Sequence, residues 1–105
     1  MEAPQRLDDL REHGRMQWLD GARGWRAEPD DIVNALAADG YQECKREIAR
    51  VPKAAASGGV WQGIDHRTGA VASTVWTREP NGDPLVFITI NGRPVEGREE
   101  LRSGS

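Results

Sequence analysis

Three strand-like runs follow one another between Gly59 and Val95, each closed by its own turn signal, and this constrains the chain to an antiparallel meander. Val60 to Asp65 leads into His66-Arg67-Thr68-Gly69, Ala70 to Arg78 into Pro80-Asn81-Gly82-Asp83, and Leu85 to Asn91 into Asn91-Gly92-Arg93-Pro94. Asparagine and glycine tolerate the positive backbone angles of tight hairpins, so Asn81-Gly82 and Asn91-Gly92 read as turns. In the simplest register, Val60, Ile64, Val71, Val75, Val86, Ile88 and Ile90 share one side, the expected core face. The other side then carries Trp61, Thr74, Trp76, Leu85, Phe87 and Thr89, rings mixed with hydroxyls. A one-residue slip in register exchanges these faces.

Ahead of the meander, Leu7, Leu10, Gly14 and Trp18 recur at helical spacing after Pro4 and predict a first helix. Gly14 weakens it, and Met16 and Leu19 leave its apolar face, so the helix stops near His13 or bends there. Residues 20–27 read as a loop whose Trp25 folds back onto the domain. A second helix is marked by Pro29, Asp30 and Asp31 at its start, by Ile32, Val33, Leu36 and Ala37 on its apolar face, and by Gly40 as its stop. Tyr41, Cys44 and Ile48 recur helically, so residues 41–51 are expected to be helical or mixed, with Pro52 ending them and 53–59 a flexible connector. The expected fold class is α+β, with two or three N-terminal helices packed on one face of a three- to four-stranded antiparallel meander. It forms a single domain over residues 1–101, and residues 102–105 read as a disordered tail.

A length of 105 residues sets a limit of one ordinary core, and 37% hydrophobic with 30% charged residues suits a small globule. The net charge of −3 is uneven: residues 1–40 hold five Lys and Arg against nine Asp and Glu. No basic stripe emerges, which disfavours extended phosphate contacts but leaves room for a local cluster of arginines. Cys44 has no partner for an internal disulfide, and no apolar stretch is long enough for a signal peptide or a membrane span, so a cytoplasmic protein without membrane contact is expected. No cofactor is expected: glycine-rich phosphate loops and a serine elbow are absent from the sequence. Neither is a metal, because Cys44 and the two histidines lack ligand spacing and the acidic pairs Asp8-Asp9, Asp30-Asp31 and Glu99-Glu100 are adjacent.

His13 and His66 are the only side chains that titrate near neutrality without perturbation. His66 sits in a polar turn, where a solvated role is ordinary. His13 lies beside Arg11 and Arg15, and a histidine among arginines at a sheet edge suits acid/base chemistry on a phosphodiester as well as a plain solvated helix end. The mixed aromatic face, with Trp61, Thr74, Trp76 and Phe87, reads as a floor for a planar ligand, as a partner surface, or as a face covered by the chain itself.

The stretches Leu10-Arg11-Glu12-His13-Gly14 and His13-Gly14-Arg15-Met16, Asp31 to Leu36 with its Gly40 stop, and Val86 to Ile90 together resemble the small toxin-like ribonucleases of the RelE and BrnT kind. The resemblance implies metal-independent RNA cleavage by attack of the neighbouring ribose hydroxyl, with His13 as acid/base, Arg15 or Arg50 steadying the phosphate, and Thr89 on the floor. A degenerate, noncatalytic member of that group fits the same residues. The alternative is a noncatalytic interaction module or homodimer that uses the aromatic sheet face, with another protein or a second copy as partner.

Overall fold

The computed structural model describes residues 6–50 and 56–97. The expectations for Pro4, Val51, Pro52, Leu101 and the 102–105 tail lie outside the described residues, as does the 53–55 part of the connector. In chain order the elements are α1 (Leu7–Glu12), β1 (Gln17–Leu19), β2 (Gly24–Arg26), α2 (Pro29–Ala38), β3 (Gln42–Arg50), β4 (Ala56–Asp65), β5 (Ala70–Arg78), β6 (Pro84–Ile90) and β7 (Arg93–Pro94). The strands form one seven-stranded sheet in the order β1-β2-β6-β5-β4-β3, with β7 beside β6 and every pairing antiparallel. This overturns the α+β expectation: the chain is predominantly β, with two short helices among the described residues rather than two or three helices on a small meander.

Both helices end by the same device. At α1, Gly14 takes a φ of +73°, while Gly14 N–H donates to Arg11 O at 3.2 Å and Arg15 N–H donates to Leu10 O at 2.8 Å. At α2, Gly40 at φ +110° repeats the pattern, with Gly40 N–H to Ala37 O and Tyr41 N–H to Leu36 O, both at 3.1 Å. These paired bonds satisfy the last helical carbonyls through a left-handed residue. Gly14 therefore stops α1 instead of bending it, and Trp18 lies in β1, outside the helix.

Three further segments depart from expectation. Residues 56–59, read as the end of a flexible connector, are the first residues of β4, where Gly58 and Gly59 pair with β3 on one side and β5 on the other. Residues 20–27, read as a loop, contain β2, which pairs with β1 through Trp18 opposite Trp25 and joins the main sheet through Trp25 opposite Val86. Residues 42–50 are the edge strand β3, and its register on β4 slips between Glu43 and Lys45, leaving Cys44 in a bulge. The meander itself forms where the turn signals placed it.

The faces of the sheet depart from the simplest register. Asn91 and Gly92 both take positive φ and form a two-residue turn that sets Ile90 opposite Arg93. At the preceding hairpin only Gly82 is positive, at +92°, and Glu79 N–H donates to Asp83 O, so Pro80-Asn81-Gly82 is a three-residue loop. Val75 consequently pairs with Phe87, and Trp76 with Val86. Val86, Ile88 and Ile90 share a face with Trp61, Thr74 and Trp76, whereas Val60, Ile64, Val71 and Val75 lie on the other with Leu85, Phe87 and Thr89.

α2 packs across β4 and β5 on the tryptophan face, and α1 packs against α2. Leu10, Trp25, Ile32, Leu36, Trp61, Thr74, Val86 and Ile88 are all below 2% exposed there. Small residues let the large rings lie flat. A Cβ on Gly59 would collide with the Trp76 ring and stand 2.7 Å from the Glu47 carbonyl oxygen. Because backbone as well as ring would have to yield, Gly59→Ala is expected to lower unfolding free energy by about 1–3 kcal/mol, measured by urea titration.

Candidate functional site

With both helices on the tryptophan face, no helix or second sheet among the described residues covers the other face. One row of that face crosses the sheet as Leu19, Gly24, Phe87, Val75, Val60 and Glu47, in neighbouring strands at matched register. Leu19, Phe87 and Val60 are half-buried, whereas Val75 is 43% exposed. Gly24 shapes the row, because the Phe87 ring lies against it: a Cβ there would come within 2.8 Å of Phe87 Cε1 and 3.2 Å of Leu85 Cδ1. Beside this apolar row run Thr89, Ser73, Gln62 and Lys45, and beyond them Val71, which is 37% exposed, and Ile64.

The catalytic candidates are dispersed. His13 caps the end of α1, exposed, with its Nδ1 2.7 Å from the Asp9 carbonyl oxygen. Arg15 is held by Asp31 of α2 through Nη2, which donates to both carboxylate oxygens at 2.9 Å. Thr89 lies on the open face, opposite the side on which the helices pack. Arg50 ends β3 opposite Ala56, and its side chain lies outside the described part. No shared centre joins these four residues among the described atoms.

The ligand-floor candidates divide between the two faces. Trp61, Thr74 and Trp76 are sealed beneath the helix layer at 1%, 0% and 8% exposure, while Phe87 belongs to the open row. Trp61 Nε1 donates to Glu43 Oε1 at 2.9 Å, and Arg46 donates to the same oxygen at 2.8 and 3.1 Å. The Arg46 bonds, followed by the indole bond, hold the Glu43 carboxyl below its ordinary pKa. These contacts anchor the edge strand to the core and consume the polar atoms of the tryptophan.

A cleft of about 440 Å3 lies between the end of α1 and the β1–β2 hairpin, lined by Arg11, Met16, Gln17, Trp18, Asp20 and Trp25 with two glycines. The cleft is not evident from sequence, because Trp18 falls at helical spacing with Leu7, Leu10 and Gly14 and Trp25 stands among loop-forming glycines. The recurrence of tryptophan on both sides of Asp20-Gly21-Ala22-Arg23 was the available signal. Among the described residues no three His, Cys, Asp or Glu side chains gather to hold a metal ion. No helix among them is long and apolar enough to cross a membrane.

Comparison with protein-family models, curated proteins and solved structures yields no match to this chain.

One electrostatic clasp holds the far end of the sheet to α2. Arg67 donates to both oxygens of Asp65, at 3.0 Å through Nε and 2.9 Å through Nη2, and again to the Asp39 carbonyl at the end of α2. Its backbone N–H adds a bond to Asp65 Oδ1 at 2.9 Å. These side-chain and backbone bonds hold the Asp65 carboxyl down from 3.8 to about 2. Because the folded value is depressed, this contribution to stability is complete above the unfolded pKa and is lost as pH falls from about 4 through about 2. Urea unfolding midpoints should therefore drop across that acid window, and Asp65→Asn should flatten that part of the profile while lowering stability at neutral pH.

Proposed function

We propose that the chain is a noncatalytic interaction module that pairs with a second copy of itself through the open sheet face. The observation that carries the reading is the apolar row Leu19, Phe87, Val75 and Val60, which crosses the sheet with no helix above it among the described residues. A contiguous apolar patch of this kind marks an interaction surface more often than bare solvent contact.

Size supports a second copy. Four strands crossed over roughly seven residues and two crossed over roughly three, each about 4.8 Å wide with a rise of about 3.3 Å per residue, give a face of about 540 Å2 in projection and more in accessible surface. A stable interface uses roughly 600–1,000 Å2 from each partner. Self-complementarity supports it as well. Val75 stands at the middle of the row with Phe87 on one side and Val60 on the other, so a two-fold axis along β5 sets Val75 on Val75 and Phe87 on Val60. The same axis sets Gly24 of each copy over Glu47 of the other.

Pairing through the sheet edges is disfavoured. β1 has three residues, and β3 alternates Glu43, Lys45, Arg46 and Glu47 around its bulge, the charged and interrupted pattern that blunts an edge. The face is left as the associating surface.

Light scattering should give a mass twice the 11.6 kDa of one chain. Val75→Lys places two ammonium groups against each other on the axis and should weaken association at least tenfold, with the monomer keeping its circular dichroism spectrum. Phe87→Asp should do the same by removing the central ring. A monomer at all concentrations, or a dimer that survives both substitutions, would sink the proposal. Cleavage of RNA by the purified protein that His13→Ala abolishes would put the ribonuclease reading in its place.

A further inference from the structure

The chain carries two Asn-Gly pairs, Asn81-Gly82 and Asn91-Gly92, and the structure sets their carboxamides in different company. An asparagine followed by glycine is open to one reaction without an enzyme: the next peptide nitrogen closes onto the side-chain carbonyl carbon. Glycine favours it, because no Cβ crowds the attacking nitrogen. In a folded chain the outcome depends on where the carboxamide lies and on what must open first.

At Asn81 the carboxamide lies along its own loop. Its Oδ1 accepts from the Asp83 backbone N–H at 3.0 Å, and its Nδ2 donates to Asp83 Oδ2 at 3.2 Å. A bond from a side chain to the amide two residues on encloses the intervening peptide nitrogen, that of Gly82, in the same small ring. The contacts also match the reaction: the Asp83 N–H stands at the oxygen on which negative charge develops, and the Asp83 carboxylate stands beside the departing nitrogen. One bond opposes attack, since the Gly82 N–H donates to Glu79 O at 2.8 Å. It belongs to a tip where Pro80, Asn81 and Gly82 are all exposed, and its opening breaks no strand pairing. Asn91 is tied the other way. Its Oδ1 accepts from the Val71 N–H at 2.9 Å and its own N–H donates to Val71 O at 2.8 Å, so its carboxamide is engaged across the sheet on β5.

We infer that Asn81 is a site of spontaneous conversion to isoaspartate, and that the product disturbs the loop that chooses the face of β6. Gly82 N bonds to Asn81 Cγ, the Cγ–Nδ2 bond breaks, and ammonia leaves with the proton that Gly82 N gives up. Solvent water then opens the ring, its hydroxyl going to a carbonyl carbon and its proton to Gly82 N or to the side-chain nitrogen's former site on the backbone, which is the same atom. Addition at Cγ leaves aspartate; addition at the backbone carbonyl carbon leaves isoaspartate, whose main chain runs through Cβ and Cγ and is one atom longer. That atom falls between Glu79 and Asp83, whose N–H to O bond at 2.9 Å closes the loop that sets Trp76 opposite Val86. The new carboxylate, by contrast, joins Glu79 and Asp83, which already pair with Arg26. Length rather than charge therefore bears on register.

The second Asn-Gly pair provides an internal control. The full-length protein is incubated in mildly alkaline buffer, once folded and once in urea, and both Asn-Gly peptides are followed by mass spectrometry with fragmentation that separates aspartate from isoaspartate. In urea the two sites should convert at similar rates, whereas in the folded chain Asn81 should convert at least tenfold faster than Asn91. Asn81→Gln, which would need a six-membered ring, should stop conversion at that site. The isoaspartate form, purified by ion exchange, should unfold at lower urea than the native chain at one protein concentration, while Asn81→Asp, which adds the charge without the extra atom, unfolds close to it. Equal rates in the folded chain, faster conversion at Asn91, or no conversion at Asn81 would overturn the site. An isoaspartate form that unfolds together with Asn81→Asp would overturn its effect on the loop. None of these readouts requires two copies to pair.

Discussion

Alternation along a strand leaves two choices of face for every strand in a sheet, and for β6 the closure between Glu79 and Asp83 makes that choice. Its three-residue loop puts Val86 beside Trp76 on one side and Trp25 on the other, so that Trp18, Trp25, Val86 and Trp76 run across four strands in a single covered row. The helix layer above is thin: α1 has six residues and α2 has ten. Tryptophans compensate, because their large rings fill space that a larger helical layer would otherwise occupy. Had Asn81-Gly82 closed a two-residue hairpin, Val86 and Ile88 would face solvent and α2 would rest on Leu85, Phe87 and Thr89.

The same alternation creates the functional question. Covering one face with large rings sends Phe87, Val75 and Val60 to the other, where no second layer lies among the described residues. Hydroxyl and amide side chains from Thr89, Ser73 and Gln62 run beside the apolar row, so the face is suited to contact with a folded surface rather than to full burial in a sandwich core. The cleft at Trp18 and Trp25 follows from the hairpin that completes the covered row. Fold and candidate sites thus share one origin in the placement of the tryptophans.

Much of the local structure was legible. Asn91-Gly92 forms the two-residue turn that its residues predict, Gly40 stops α2, and the three meander strands lie where their turn signals put them. β3 was misread for a physical reason: Tyr41, Cys44 and Ile48 have helical spacing only because the bulge at Cys44 interrupts the alternation of the strand. β1 and β2, at three residues each, are too short to carry any periodicity, and they are held by a partner far along the chain, Val86. His13 and Arg15 stand together in sequence, yet the end of α1 turns one to the Asp9 carbonyl and the other to Asp31.

The sequence by itself determined the positions of the turns, the stop of α2 and the alternation within each meander strand, because these depend on contacts between residues close along the chain. It also placed Phe87, Val75 and Val60 of the open row in the correct strands, but not Leu19, Gly24 or Glu47. The tertiary structure alone decided which alternate set is buried, that Trp25 belongs to the sheet, and that Arg11 meets an indole. Those outcomes depend on pairings between distant segments and on a single extra residue in one loop, and a one-residue change of register exchanges core for surface along a whole strand.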